Sequence, residues 1–317
     1  MHTDQRDLAP QLDDVTHRAR STSRISWKTQ ESLAGYLMTS SAMLFLLVFT
    51  AIPIAAALVL LFTEYSMLEP PKFAGLENVV RLFSDQRLWR CYRNSLVITI
   101  GAVMGNNILG FVLALGVNRS IGRVFKYLFR TAYFFPVMTT TASLALVWKA
   151  LLTLDRGIFN WLLGQIGLGP IPWLSSSVWA IRSVILYDVW HACGFLMVFY
   201  LAGLQGIPEA LYEAAKIDGA NNWQLLRYVT LPLITPTAFF CLIISSIGAF
   251  QIFDGPYVLT EGGPADASRT IAMYIYEMAF KHFEMGYAVT VALTLLVILV
   301  TLTLTQNWLS RKWVHYD

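Results

Sequence analysis

Six stretches of this chain, at 36–63, 95–117, 131–148, 184–204, 228–253 and 287–309, are predominantly apolar over about the 20 residues that an α-helix needs to cross a bilayer. No other feature restricts the fold as strongly. In hydrocarbon every backbone N–H and C=O must find a partner within the protein, so such spans are read as helices. The third span is the shortest, and the fourth carries an acid, Asp188. Pro53, Pro136, Pro232 and Pro236 lie in or beside spans, where neighbouring helices can satisfy the carbonyls they free. Composition agrees: 14% of residues are charged, against roughly a quarter in soluble domains.

The flanks of the spans set an expected orientation, because Lys and Arg concentrate on the cytoplasmic side. Arg18, Arg20, Arg24 and Lys28 precede the first span, and Arg119, Arg123, Lys126 and Arg130 fill the second connector. Lys216 and Arg227 lie in the fourth connector, and Arg311 and Lys312 follow the last span. These flanks fall on one face of a six-span protein. They outweigh the opposing loop with Lys72, Arg81, Arg87, Arg90 and Arg93. Both termini are therefore expected in the cytoplasm of a multi-pass membrane protein. The expected division is a cytoplasmic tail at 1–34, a membrane domain at 35–312 with a cytoplasmic connector at about 206–230, and a short cytoplasmic end at 313–317. The first thirty or so residues are polar and mixed in charge, unlike a cleavable signal peptide. Trp27 could anchor a short interfacial helix.

Several chemistries find no support in the sequence. There is no Gly-x-x-x-x-Gly-Lys-Ser/Thr and no Gly-Lys pair, so a P-loop for nucleotide is not expected. The five histidines are scattered rather than set at metal-ligand spacing. Cys91, Cys193 and Cys241 are odd in number and read as small packed hydrophobes. A net charge of +3 gives no reason to expect a nucleic-acid partner. His191 is the one histidine inside a span and reads as packed or pore-lining.

The most distinctive polar segment runs Glu213-Ala214-Ala215-Lys216-Ile217-Asp218-Gly219-Ala220 and re-enters the membrane at Leu231-Pro232. The pattern predicts a short helix over Glu209–Ile217 behind Pro208, with Ala210, Leu211, Ala214 and Ile217 on one apolar face. Glu213 lies off that face. Gly219 can take a positive φ and reverse the chain, and Asn221 or Asn222 can cap a second short helix. Such a helix-turn-helix is a compact knob for a partner's groove. The same pattern also fits an ordinary amphipathic connector on the membrane surface, and physics alone does not choose between them.

The spelling does. Glu-Ala-Ala-x-x-Asp-Gly-Ala followed by Leu-Pro resembles the coupling loop of permease subunits of binding-protein-dependent ABC importers. Phe73-Ala74-Gly75-Leu76-Glu77-Asn78 resembles that family's entry to the second span, and Phe129-Arg130-Thr131-Ala132-Tyr133-Phe134-Phe135-Pro136 its entry to the third. Tyr257-Val258-Leu259-Thr260 with Gly262-Gly263-Pro264 is similar to the turn after the fifth. The likeness covers about 35–312 and falls in the sugar-importer branch with the maltose-type and glycerol-phosphate-type permeases.

The resemblance implies an all-α, six-helix type I importer permease of the MetI-like fold in the bacterial inner membrane. It implies a second permease chain in a pseudo-symmetric heterodimer, two ATPase subunits and an extracytoplasmic solute-binding protein. No cofactor is expected on this chain, since ATP and magnesium belong to the ATPase. Glu213, Ala214, Ala215, Asp218, Gly219 and Ala220 would couple to that ATPase. Solute would meet Asp188, Trp190, Phe195, Ser245, Gly248, Ala249, Gln251 and Ile252. An acid buried in a span is a functional site by default, and an ionised one disfavours an anionic solute, so a neutral mono- to oligosaccharide is expected. Where the maltose-type permease has asparagines, this chain has Asp188, Ala249 and Ile252, so its pocket chemistry differs. Two other readings are an ion-gradient-driven secondary transporter and an intramembrane enzyme using His191. The first predicts a relay of buried ionisable groups, and the second a nucleophile beside the imidazole.

Overall fold

The computed structural model describes residues 27–118 and 122–314. Arg18, Arg20, Arg24 and Arg119, used above for orientation, lie outside them, as do most of the 1–34 tail and residues 315–317 of the C-terminal end. The chain forms two compact units, 1–57 and 58–317. In the first, α1 (Trp27–Leu46) runs through a π-helical turn, Leu47–Ala51, into α2 (Ile52–Leu60). Its residues 31–56 are all exposed, with Leu37, Phe45 and Phe49 among the apolar side chains displayed, as suits a helix whose solvent is lipid.

The second unit opens with an antiparallel hairpin, β1 (Thr63–Ser66) and β2 (Glu69–Phe73), pairing Thr63 with Phe73 and Glu64 with Lys72. This hairpin is a small departure from an all-helical chain. The Asn78 amide donates to the carbonyls of Leu61 and Thr63 and so ties α3 (Glu77–Ser84) to it. Asp85 then caps α4 (Gln86–Asn118), accepting from the N–H groups of Arg87 and Leu88 at 3.0 Å each. The second span therefore begins nine residues earlier than its apolar stretch, at 86 rather than 95.

The next elements are α5 (Arg123–Met138), α6 (Thr141–Leu151), α7 (Ile158–Gln165) and α8 (Ser177–Gly206). After the connector helices α9 (Glu209–Ile217), α10 (Asn222–Gln224) and α11 (Leu231–Leu233) come α12 (Thr235–Phe250), α13 (Asp254–Thr260), α14 (Ile271–Tyr276) and α15 (Met285–Ser310). Among the described residues four helical runs are long and apolar enough to span a membrane, and two bent pairs bring the number to six. The expected third span is not one straight helix: α5 and α6 meet at 102° across Thr139 and Thr140. Pro136 near the end of α5 removes an N–H from the helix just where it stops. The fifth bends by 63° at Ile234, between Pro232 and Pro236.

Parallel α4 and α8 form the spine of this unit. Gly101 faces Ile185, Gly105 faces Val189, and Gly110 lies against the Cys193 carbonyl and Leu196, so the contact advances along both helices in step. Small residues allow this approach, the usual basis of helix association where lipid is as apolar as leucine. The three cysteines are buried and free. α12 runs back between α4 and α15, with Gln306 donating to the Ser246 hydroxyl at 2.9 Å. α5 crosses α8 so closely that a Cβ on Gly194 would lie 1.8 Å from the Tyr133 carbonyl oxygen.

At the end of the unit where α4 and α15 begin, 254–286 folds as a cap rather than a loose loop. Arg87 pairs with Asp266 at 2.8 Å and with Glu277 at 3.3 Å, and Arg269 joins both acids. Asn94 donates to the carbonyls of Asp266 and Arg269. Asp85 accepts from the hydroxyls of Tyr274 and Tyr287. Hydrogen bonding from Arg87, joined by Arg269, holds the Asp266 carboxyl down at about 2, below the ordinary 3.8.

Two outcomes follow. Gly194→Ala forces a side chain into a backbone carbonyl and should destabilise by about 1–3 kcal/mol. Gly164→Ala, at a site with no neighbour within 4 Å, should be neutral; thermal unfolding of the purified protein in detergent compares the two. Asp266 binds its proton less readily in the folded state, so its contribution is fully present above pH 3.8 and is lost as pH falls through about 2. Asp266→Asn should therefore lower the unfolding midpoint near neutrality, and the difference from wild type should close between pH 4 and pH 2.

Candidate functional site

Two places gather the expected functional residues. The first is the connector. Pro208 precedes α9, and the chain reverses at Gly219, whose φ is +85°. The Gly219 N–H donates to the Lys216 carbonyl and the Ala220 N–H to the Ala215 carbonyl, at 3.0 and 2.9 Å. This paired closure needs a residue free to adopt the left-handed region. Asn221 then accepts from the Gln224 N–H at 2.9 Å, while the Gln224 side chain accepts from the Asn221 N–H at 2.8 Å, a reciprocal cap on α10. A π-helical stretch, Leu225–Thr230, leads into α11, and the Tyr212 and Thr230 hydroxyls join the two arms at 3.0 Å.

The knob presents itself outward. Glu213, Ala214, Asp218 and Gly219 are exposed, and Ala215 and Ala220 half-buried. The apolar face is not folded back onto the unit: Ile217 is 87% exposed and Trp223 69%. Between the arms is a shallow hollow of about 200 Å³ lined by Ala215, Asp218, Gly219, Ala220, Gln224 and Tyr228 among others.

The second place is a cavity of about 390 Å³ between α8 and α12, closed on one side by α4 and the start of α13. Asp188, Phe195, Ser245, Gly248, Ala249, Gln251 and Ile252 all line it. Trp190 does not. Asp188, His191 and Phe195 recur at helical spacing and share one face of α8, whereas Trp190 is turned away by its two-residue offset from Asp188. It packs instead on Trp148 and Tyr187, with ring centroids 5.3 and 6.5 Å away. Trp190 is thus corrected from a cavity residue to part of an aromatic cluster against α6.

The cavity also holds His191, expected from sequence as packed or pore-lining, and residues the sequence had not suggested: Asn106, Thr141, Phe253 and Asp254. Asn106 is 2% exposed, and its amide donates to Asp188 Oδ2 at 2.9 Å. One residue on, Asn107 donates to the Ser245 hydroxyl at 2.9 Å and accepts from the Tyr200 hydroxyl at 2.8 Å. Side-chain amides thus tie α4 to both cavity walls, where each such bond is worth about 0.6 kcal/mol in a membrane. The adjacent asparagines in an otherwise apolar span were the sequence signal for this. The His191 ring stacks on Tyr187 at 5.9 Å. Among the described residues no three His, Cys, Asp or Glu side chains converge as a metal site would require.

Comparison with known proteins places this architecture. The lactose transport system permease protein LacF of Rhizobium radiobacter is 35% identical over 298 residues, covering 92% of this chain and 99% of that one. The trehalose/maltose transport system permease protein MalF of Thermococcus litoralis is 32% identical over 285 residues, covering 89% and 95%. A chain of a bacterial alginate ABC transporter, solved with an alginate pentasaccharide-bound periplasmic protein, shares the fold with a TM-score of 0.79 at 24% identity, covering 91% of this chain and 98% of that one. A chain of the MetNI methionine ABC transporter shares it more distantly, with a TM-score of 0.54 at 16% identity over 72% of this chain and 97% of that one. Residues 106–315 match the family described as the binding-protein-dependent transport system inner membrane component, and the chain belongs to that family.

Proposed function

We propose that this permease forms one half of the pore of an ATP-driven importer for a sugar without acidic groups, and that 206–230 is where the driving force enters. The carrying observation is continuity. α8 ends at Gly206, only two residues separate it from the start of α9 at Glu209, and the second arm of the connector passes through Ile234 into α12. The two helices that leave the connector are therefore the two walls of the cavity. A displacement of the knob moves both walls, and the bend at Ile234 gives the fifth span a place to hinge.

The relatives named for lactose and for trehalose/maltose transport support a sugar as solute. The lining supports the absence of acid groups on it: Asp188 and Asp254 face the cavity, and no Lys or Arg among the described residues does. Phe195 and Phe253 line the cavity and add apolar aromatic surface of the kind that sugar sites use. Glu213, Ala214, Ala215, Asp218, Gly219 and Ala220 form the surface for an ATPase subunit. ATP and magnesium are bound on that subunit, and hydrolysis takes place there. A second permease completes the pore, and an extracytoplasmic binding protein delivers the solute. With the Lys/Arg-rich flanks inside, both termini and the connector face the cytoplasm of a bacterial cell. The ion-gradient alternative would need a relay of charged groups through the spans, and Asp188 has one polar partner, Asn106.

Gly219→Pro fixes φ near −65° where the chain needs +85° and removes the N–H that closes on Lys216. Glu213→Lys reverses an exposed charge without touching the fold. Each should lower solute uptake at least about tenfold, some 1.4 kcal/mol of lost coupling, while the protein still reaches the membrane. Uptake at the wild-type rate in both variants would sink the coupling assignment.

A further inference from the structure

Two acids, Asp188 and Asp254, line the cavity, no Lys or Arg among the described residues does, and Asp188 is held through one oxygen. Asn106 donates to Asp188 Oδ2 and fixes the carboxylate on its face of α8. Oδ1 has no hydrogen-bond partner, and Asp188 forms no ion pair among the described residues. Asp254 at the cavity rim likewise has no cationic partner among them, although it opens α13, where a helix N-terminus favours a negative charge. Asn106 Oδ1 and His191 Nε2, both from residues of the lining, are buried without partners, and the Ser245 hydroxyl is directed to the Leu242 carbonyl. An unpaired carboxylate in a span is expensive and is kept where something completes it.

A neutral sugar can offer hydroxyl donors to Oδ1, but it leaves the charge uncompensated. A protonated amine supplies both positive charge and several N–H donors, and Phe195 and Phe253 on the lining are aromatic side chains of the kind that suit a cation as well as a sugar ring. We infer that the solute carries an ammonium group, that an amino sugar is the class admitted, and that Asp188 is the residue that selects it. This rests on the sugar-importer reading above and replaces the neutral solute expected from sequence with a cationic one. Asn106 acts as a positioning residue, holding the carboxylate with Oδ1 toward the solute.

The test uses the complete transporter, with its partner permease, ATPases and binding protein, in proteoliposomes. Two matched pairs are compared, glucosamine with glucose and the chitosan disaccharide with cellobiose, since on each ring an ammonium replaces one hydroxyl. Uptake and solute-stimulated ATP hydrolysis should favour the amino member at least tenfold in the wild type. Asp188→Asn, nearly isosteric but uncharged, should bring that preference close to unity, read as the ratio of amino to neutral uptake in the same vesicles. Should this variant fail to assemble, the wild-type comparison still decides. Equal or faster uptake of the neutral members would overturn the inference and leave the sugar reading standing. So would an Asp188→Asn variant that keeps the amino preference. If none of the four sugars is carried while a non-sugar amine such as putrescine is, the sugar reading falls and this inference with it.

Discussion

The close parallel packing of α4 on α8 is the constraint from which the rest of the second unit follows. Gly101, Gly105 and Gly110 let the helices approach until Ile185, Val189 and Leu196 fill the space that side chains on α4 would take. That approach brings Asn106 within 2.9 Å of Asp188 and Asn107 within 2.8 Å of Tyr200. Apolar surfaces alone would not hold helices together in lipid. Close packing and amide hydrogen bonds do so jointly, and the amides are satisfied because the glycines permit the distance. α12 then docks through Ser245 on Asn107, which leaves a gap between α8 and α12 where Gly248 and Ala249 are small.

Local features were the most legible in the sequence. Glu209–Ile217 is the helix its pattern predicts, Gly219 takes the positive φ, and Asn221 rather than Asn222 provides the cap. These depend on a few neighbouring residues and on backbone chemistry, so the sequence states them directly. Six apolar stretches also appear as six helical runs, counting each bent pair once. Hydropathy could not show the 102° turn between α5 and α6, because apolar content is blind to direction. The proline at 136 marked the place without giving the angle. Nor could it show where the spans begin: α4 starts at 86, where Asp85 caps its first turn, and α8 starts at 177, where the Ser183 hydroxyl donates to the Trp173 carbonyl.

The cavity was legible to the extent that its residues share a helix. Asp188 and Phe195 are seven apart and lie on one face, while Trp190 was attractive by chemistry and excluded by its angle on the same helix. Asn106 belongs to a helix some eighty residues earlier, and only the packing of α4 on α8 makes it a neighbour of Asp188. What the sequence withholds is therefore partnership. It shows that a costly acid lies in a span, and the fold shows that one amide holds one of its oxygens and nothing holds the other.

The same asymmetry bears on how a pore of this kind can turn over. A carboxylate locked by ion pairs would hold its walls together in every state and resist a rearrangement driven from the connector. Asp188 is held by α4 alone, through Asn106, and has no bond to α12. The opposite wall is tied to α4 separately, through Asn107 and Ser245. Asn107 is bonded to both walls, donating to Ser245 of α12 and accepting from Tyr200 of α8, while Asp188 and the strip bordered by Gly248 and Ala249 make no direct side-chain hydrogen bond between α8 and α12 among the described residues. A solute cation on Oδ1 would add to one wall without bridging both, so the site could be filled and emptied while the spine of α4 and α8 stays packed.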